Sequence, residues 1–136
     1  MNYKILQFAL IAGLIWISNI YAQDNSIDCD NFHAIWNSHC ISIEKLPMPE
    51  IPITQIQKDF LNSIDSNIYF ETVYLQLIID TLGNVLCSYV LKGNNNFIDT
   101  VAMNCFSKIK FSPAENHGIK IPVQVSIPLQ GRRNKN

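Results

Sequence analysis

Residues 71–80, Glu-Thr-Val-Tyr-Leu-Gln-Leu-Ile-Ile-Asp, alternate in hydrophobicity with a period of two. That period admits a β-strand and excludes a helix. Val73, Leu75, Leu77 and Ile79 share one side, so the rest of the chain has to supply an apolar cover for them. Asp80-Thr-Leu-Gly83-Asn84 follows as a tight turn, in which Gly83 is free to take positive φ. Val85 to Lys92 then reads as a second strand that pairs back in a hairpin, and Gly93-Asn-Asn-Asn96 ends it.

The cover comes next. Ile98, Val101, Ala102, Cys105, Phe106 and Ile109 recur at helical spacing, a stripe that packs on a core. Asn96 is the expected N-cap, and Asp99 sits in the first turn, where negative charge complements the helix dipole. A last strand runs from about Lys120 to Leu129, with Ile121, Val123, Val125 and Ile127 on one side. Upstream, Ile53, Ile56, Phe60 and Ile64 mark the apolar face of another helix, which starts after Pro52. The predicted fold is α+β: a three-stranded antiparallel sheet with a helix on one face, preceded by a short helical segment. The first strand runs up, the second down, and the helix returns the chain up, so the third strand runs down. It can be antiparallel only to the first, which gives the spatial order 2-1-3 and leaves the third strand as an open edge.

The chain has 136 residues, enough for one domain of ordinary size. Lys4 is the only charge before Asp24, and residues 5–17 form an apolar run that ends before Ile20-Tyr21-Ala22. Residues 1–22 therefore read as a secretory signal peptide. Its 18 uncharged residues (5–22) leave an uncleaved membrane anchor as the alternative. Residues 23–52 read as an irregular, cysteine-bearing segment with a connector broken by Pro47, Pro49 and Pro52. Phe32, Ile35 and Trp36 allow a short helix within it. Residues 53–131 form the domain, and 132–136, with Arg132, Arg133 and Lys135, a solvated basic tail. All four cysteines follow the leader, and an even count in an exported chain points to disulfides. Four cysteines allow three pairings. Cys29–Cys40 is the favoured bridge, because the two are close in sequence. Cys87–Cys105 is the second, against the alternative of two buried thiols.

Ten Lys+Arg against eleven Asp+Glu give a formal charge of −1, too little positive charge for a nucleic-acid partner. Catalytic signatures are missing. Glu71 and Asp80 sit at opposite ends of one strand, about 30 Å apart at ~3.3 Å per residue, and cannot act as an acid/base pair. Cys29, His33, His39 and Cys40 are acceptable zinc ligands, but their spacing matches no common structural site and an oxidising compartment favours a disulfide. His117 reads as a solvated loop residue, and Tyr69, Tyr74 and Tyr89 as sheet-packing residues rather than a ligand cage. The expectation is a non-enzymatic protein without cofactor or metal.

In order and spacing, Ile79-Asp80-Thr-Leu-Gly83-Asn-Val85, Ile98-Asp99 with Ala102, Phe111-Ser-Pro113-Ala114, Gly118 and Pro128 resemble the C-terminal domain of TonB, the periplasmic energy transducer of Gram-negative bacteria. The resemblance runs from about Glu71 to Leu129 and more weakly over Pro49 to Ile68. In such a domain Phe111 closes the helix-to-strand corner, Pro113 stops the helix and Gly118 turns the chain into the last strand. The chain departs from a full transducer in four respects, one being that Gln130 and Gly131 follow Leu129 where the family closes its last strand with an aromatic. Its apolar leader holds no histidine, only about 30 residues (23–52) separate that leader from the domain, and Asn67-Ile-Tyr-Phe-Glu71 stands where the family carries a Tyr-Pro element.

The resemblance implies a periplasmic module of outer-membrane transport and energy transduction. Its partner would be an outer-membrane receptor or other envelope protein, bound by adding an extended peptide to the edge of the third strand. It would touch membrane only through an uncleaved N-terminal segment. The alternative is a structural or assembly protein of the envelope built on the same fold. Pro122 and Pro128 have the same parity, and a proline facing the neighbouring strand would delete a ladder bond. The even positions are therefore expected to face outward, leaving Gln124 and Ser126 as the edge donors.

Overall fold

A computed structural model of the chain describes residues 28–38 and 42–134. The expected leader (1–22), His39, Cys40 and the end of the basic tail lie outside the described residues. The elements are α1 (Cys29–Ser38), β1 (Met48–Pro49), α2 (Ile53–Asn62), β2 (Val73–Ile79), β3 (Val85–Lys92), α3 (Asn96–Phe106), β4 (Phe111–Ser112), β5 (Ala114–Asn116), β6 (Ile119–Ile121) and β7 (Val123–Leu129). The fold is α+β. The principal sheet is antiparallel in the order β3-β2-β7, and β1-β4 and β5-β6 are two-stranded.

The alternation along β2 does what its period requires. Val73, Leu75, Leu77 and Ile79 are fully buried in one core with Ile56 and Phe60 of α2 and Ile98, Ala102 and Phe106 of α3. Ile53, expected on the apolar face of α2, is exposed instead. Ile64 is buried, but it lies beyond the end of the helix. The cap of α3 is Asn95 rather than Asn96: Asn95 has extended φ/ψ, and its side-chain oxygen accepts from the Ile98 N–H at 3.0 Å. In a run of three asparagines the side chains are equivalent, so backbone conformation alone chooses the cap. Asp99, in the first turn, accepts from the Asn94 N–H at 2.8 Å.

Between α3 and β7 the chain is more broken than expected. The helix ends at Ser107, so Pro113 stops no helix; it separates β4 from β5. Phe111, buried in β4, pairs with Pro49 and donates its N–H to the Gly83 carbonyl at 2.9 Å. A Cβ on Gly83 (φ +83) would lie 1.8 Å from the Phe111 carbonyl oxygen, so this contact requires glycine. Asp80 closes the same hairpin turn, its carboxylate accepting from the Leu82 and Asn84 N–H groups at 2.9 and 2.8 Å. Burial acts to raise its pKa, but these bonds, the Asn84 amide and nearby Lys110 outweigh it and hold the carboxyl below its ordinary value.

Ala114, fully buried, begins the β5–β6 hairpin, which turns through His117 and Gly118, both at positive φ. His117 is an exposed turn residue, as expected, and is also tied to the connector: its N–H donates to Glu44 Oε2 at 2.9 Å, and its Nδ1 lies 3.2 Å from Glu44 Oε1. The strand expected from Lys120 to Leu129 divides at Pro122 into β6 and β7, because a residue without N–H interrupts the ladder there. The proline-rich connector is extended, as expected, but not unattached. β1 pairs with β4, and Lys45 bridges to Glu115.

The largest departure lies upstream. The short helix that Phe32, Ile35 and Trp36 allowed is present as α1, but it was not expected to lie, as it does, against the second face of the sheet, in contact with β7. Cys29 stands at disulfide distance from Cys87, with Cα atoms 6.3 Å apart. This corrects both expected bridges, Cys29–Cys40 and Cys87–Cys105, because sequence proximity does not decide pairing once a helix carries Cys29 across the sheet. Cys105 is unpaired among the described residues and half-buried on α3. Burial, and secondarily the charge of Asp59, pushes its thiol pKa up.

Candidate functional site

A strand at the end of a sheet carries one row of N–H and C=O groups with no partner. The principal sheet has two such ends, and they are built differently. β3 meets β2 with two breaks in register, where Leu91 and Leu86 are passed over. Such bulges twist an edge and interrupt its row of donors. β7 meets β2 residue for residue over seven pairs, from Val73↔Leu129 to Ile79↔Val123. Among the described residues no strand pairs with the outer side of β7, and the N-terminal connector is engaged with β4 instead.

The phase of the ladder follows from one residue. Pro128 stands opposite Tyr74, and a proline has no N–H to exchange, so this is a non-hydrogen-bonded pair. Alternation then makes 129, 127, 125 and 123 the bonded positions and turns the N–H groups of Ser126 and Gln124 outward. Pro122, outside β7, takes no part in this phase.

The two positions differ in their side chains. Ser126 is exposed. Gln124 is buried, with its amide turned back onto α1: its Oε1 lies 2.7 Å from His33 Nδ1, and its Nε2 donates to Asn37 Oδ1 at 3.3 Å. His33 and Asn37, one helical turn apart, also bond each other at 3.1 Å. Only the backbone of Gln124 is therefore available at the edge, while its side chain fastens the edge strand to a helix. Tyr89 of β3 donates to Asp30 Oδ1 at 3.3 Å, and its ring lies 5.9 Å from that of His33. Burial first, and then the charges of Asp30 and Asp28, push the Tyr89 hydroxyl pKa up. Sequence reading did not find this backing. The available signal was the helical repeat Cys29, His33, Trp36–Asn37, which places polar and apolar residues on one side.

Beyond the last pair of β7 the chain continues beside residues 70–72, with the Phe70 N–H donating to the Arg132 carbonyl at 3.0 Å. A Cβ on Gly131 would lie 2.1 Å from the Phe70 carbonyl oxygen, which is why this close approach needs glycine. Here a cleft of about 860 Å³ opens, lined by Tyr69, Glu71, Tyr74, Lys92, Gly131 and Arg133 among others. Tyr69 and Tyr74, expected to pack on the sheet, are 55% and 43% exposed. The basic tail is not wholly solvated either: the Arg132 guanidinium donates to the carbonyls of Leu61, Asp65 and Ile68. Glu71 pairs with Lys92 at 3.2 Å at one end of β2, while Asp80 closes the turn at the other. Among the described residues no helix is long and apolar enough to cross a membrane. No family model matches the chain, and no curated protein or solved structure matches it either.

Proposed function

We propose that this chain is an exported, non-enzymatic binding module that adds an extended segment of an envelope protein to the outer side of β7, as its resemblance to the TonB C-terminal domain implies. One observation carries the reading. β7 is the unbulged edge of the sheet, in continuous register with β2, and its outer side is unpaired among the described residues. Backbone hydrogen bonds along such an edge supply affinity without demanding a particular sequence. The fastening of Gln124 to α1 supports the same reading, since a template strand that does not move spends less entropy on ordering when a partner arrives. An outer-membrane receptor with a periplasmic extension is the expected partner, and the periplasm the expected site of action.

The test is Ser126→Pro. It removes an outward N–H and leaves every β2–β7 bond in place, so the monomer should melt as the parent does. Binding of peptides copied from the periplasmic extensions of outer-membrane receptors should be abolished. Peptides that bind the variant and the parent equally, or bind neither, would remove the reading.

A further inference from the structure

Three side chains between α1 and the edge strand close a ring of hydrogen bonds. His33 Nδ1 lies 2.7 Å from Gln124 Oε1, Asn37 Nδ2 lies 3.1 Å from His33 Nε2, and Gln124 Nε2 donates to Asn37 Oδ1 at 3.3 Å. A ring of three contacts needs three donors and three acceptors. Each amide side chain supplies one donor and one acceptor, whichever way it is turned, and a neutral imidazole supplies one of each as well. The ring therefore closes with neutral His33. An imidazolium has two donors and no acceptor, so the count becomes four donors against two acceptors, and one contact must set donor against donor. Turning an amide over only moves that contact around the ring. The one with room to open is His33–Asn37, which is exposed, whereas both contacts of Gln124 are partly buried.

The helix spans the sheet between two fastenings of different kinds. At its start Cys29 stands at disulfide distance from Cys87 of β3, and farther along the ring ties it to β7. The groups around the ring offer the imidazolium no free acceptor. Tyr89 of β3, its ring 5.9 Å from that of His33, donates to Asp30, and Asp28 accepts from the Asp30 N–H at 3.2 Å. On this face β2 presents Tyr74, Gln76 and Ile78, and β7 presents Gln124, Ser126 and Pro128, all uncharged at neutral pH. Lys92 of β3 is paired with Glu71. We propose that α1 is a proton-operated latch on the edge strand: charging His33 releases the Asn37 end of the helix from Gln124, while the Cys29–Cys87 pair keeps the other end attached. The ring accepts only the neutral imidazole. It is closed on the alkaline side of the range in which imidazoles titrate, about pH 5 to 8, and opens as the pH falls through it. The inference rests on strand pairing at β7 and adds its regulation, since the template strand is held still only while the latch is shut.

Hydrogen exchange of the full chain, with the Cys29–Cys87 bond intact, reads the latch residue by residue. Protection of the α1 amides, corrected for the intrinsic pH dependence of exchange, should fall about three- to ten-fold between pH 8 and pH 5, the scale of one hydrogen bond, while that of α3 holds. His33→Gln should abolish the step. Asn37→Asp should reverse it, because a carboxylate brings two acceptors and the ring then balances only with the imidazolium. A merely structural role for either residue predicts no reversal. If the parent shows no step, if the step survives His33→Gln, or if Asn37→Asp steps as the parent does, the latch is wrong. A receptor-extension peptide, N-acetylated and free of histidine, should lose affinity for the parent over the same range by up to the same factor, and gain affinity for Asn37→Asp. Affinity that ignores an opening latch overturns the regulation and leaves strand pairing standing. A peptide that binds at neither pH removes strand pairing and the regulation with it, while exchange still decides whether α1 is latched.

Discussion

The two faces of the principal sheet are covered by helices on different physical terms. On one face Val73, Leu75, Leu77 and Ile79 meet α2 and α3 through side chains that carry almost no polarity. On the other, α1 is fixed by the Cys29–Cys87 pair, by Gln124 bonding to His33 and Asn37, and by Tyr89 bonding to Asp30. Gln76 is buried on this second face, and its side-chain oxygen has no partner among the described residues. Apolar burial is additive and non-directional, so the first face is stabilised by many small contributions, none of them unique. The second depends on a few directional contacts and one covalent link. The first makes the fold; the second fixes a finished sheet, and with it the edge strand.

This contrast can be broken or sharpened by measurement. Phe106 is fully buried at the centre of the apolar face, and Phe106→Ala should cost about 3–5 kcal/mol in urea denaturation. A loss well under 2 kcal/mol would mean that this face is not the main source of stability. Replacing both Cys29 and Cys87 by Ser should cost about 2–4 kcal/mol. In that variant the amides of α1 should lose their protection from hydrogen exchange before those of α3 do. If the two helices lose protection together, the faces are one cooperative unit and the contrast fails.

The smallest expected effect is one of pH. The Tyr89 pKa is raised in the folded protein above its ordinary value near 10, so the folded state favours the protonated hydroxyl. Its contribution is fully present below about pH 10 and is lost as the pH rises through the higher folded value. Melting temperature should therefore fall more steeply above pH 10 in the parent than in Tyr89→Phe; parallel curves would show that the Tyr89–Asp30 contact contributes nothing.

What the sequence revealed follows the same division. The strand from Val85 to Lys92 was legible to its ends, and the apolar stripe of α3 was legible because its period is the physical cause of the helix. The place of β7 at the edge followed from the direction of the connections; its outward phase was argued from Pro122 and Pro128, of which only Pro128 lies in β7. The short strands β4 and β5 were not legible, since two or three residues carry no period, and β6 was read only as the start of one longer strand. Nor was the cleft: Tyr69, Lys92 and Arg133 come from three separate stretches of chain, and only folding brings them to one rim.

By itself, then, the order of residues determined the α+β class, the sheet order and the buried side of β2, because hydrophobic periodicity is local and the connections leave few ways to pair three strands. Tertiary structure alone decided that α1 would close the second face, that Cys29 would stand beside Cys87, and that Gln124 would face a helix whose His33 lies 91 residues away. Such contacts have no period. They form only where an already folded surface presents one group within reach of another.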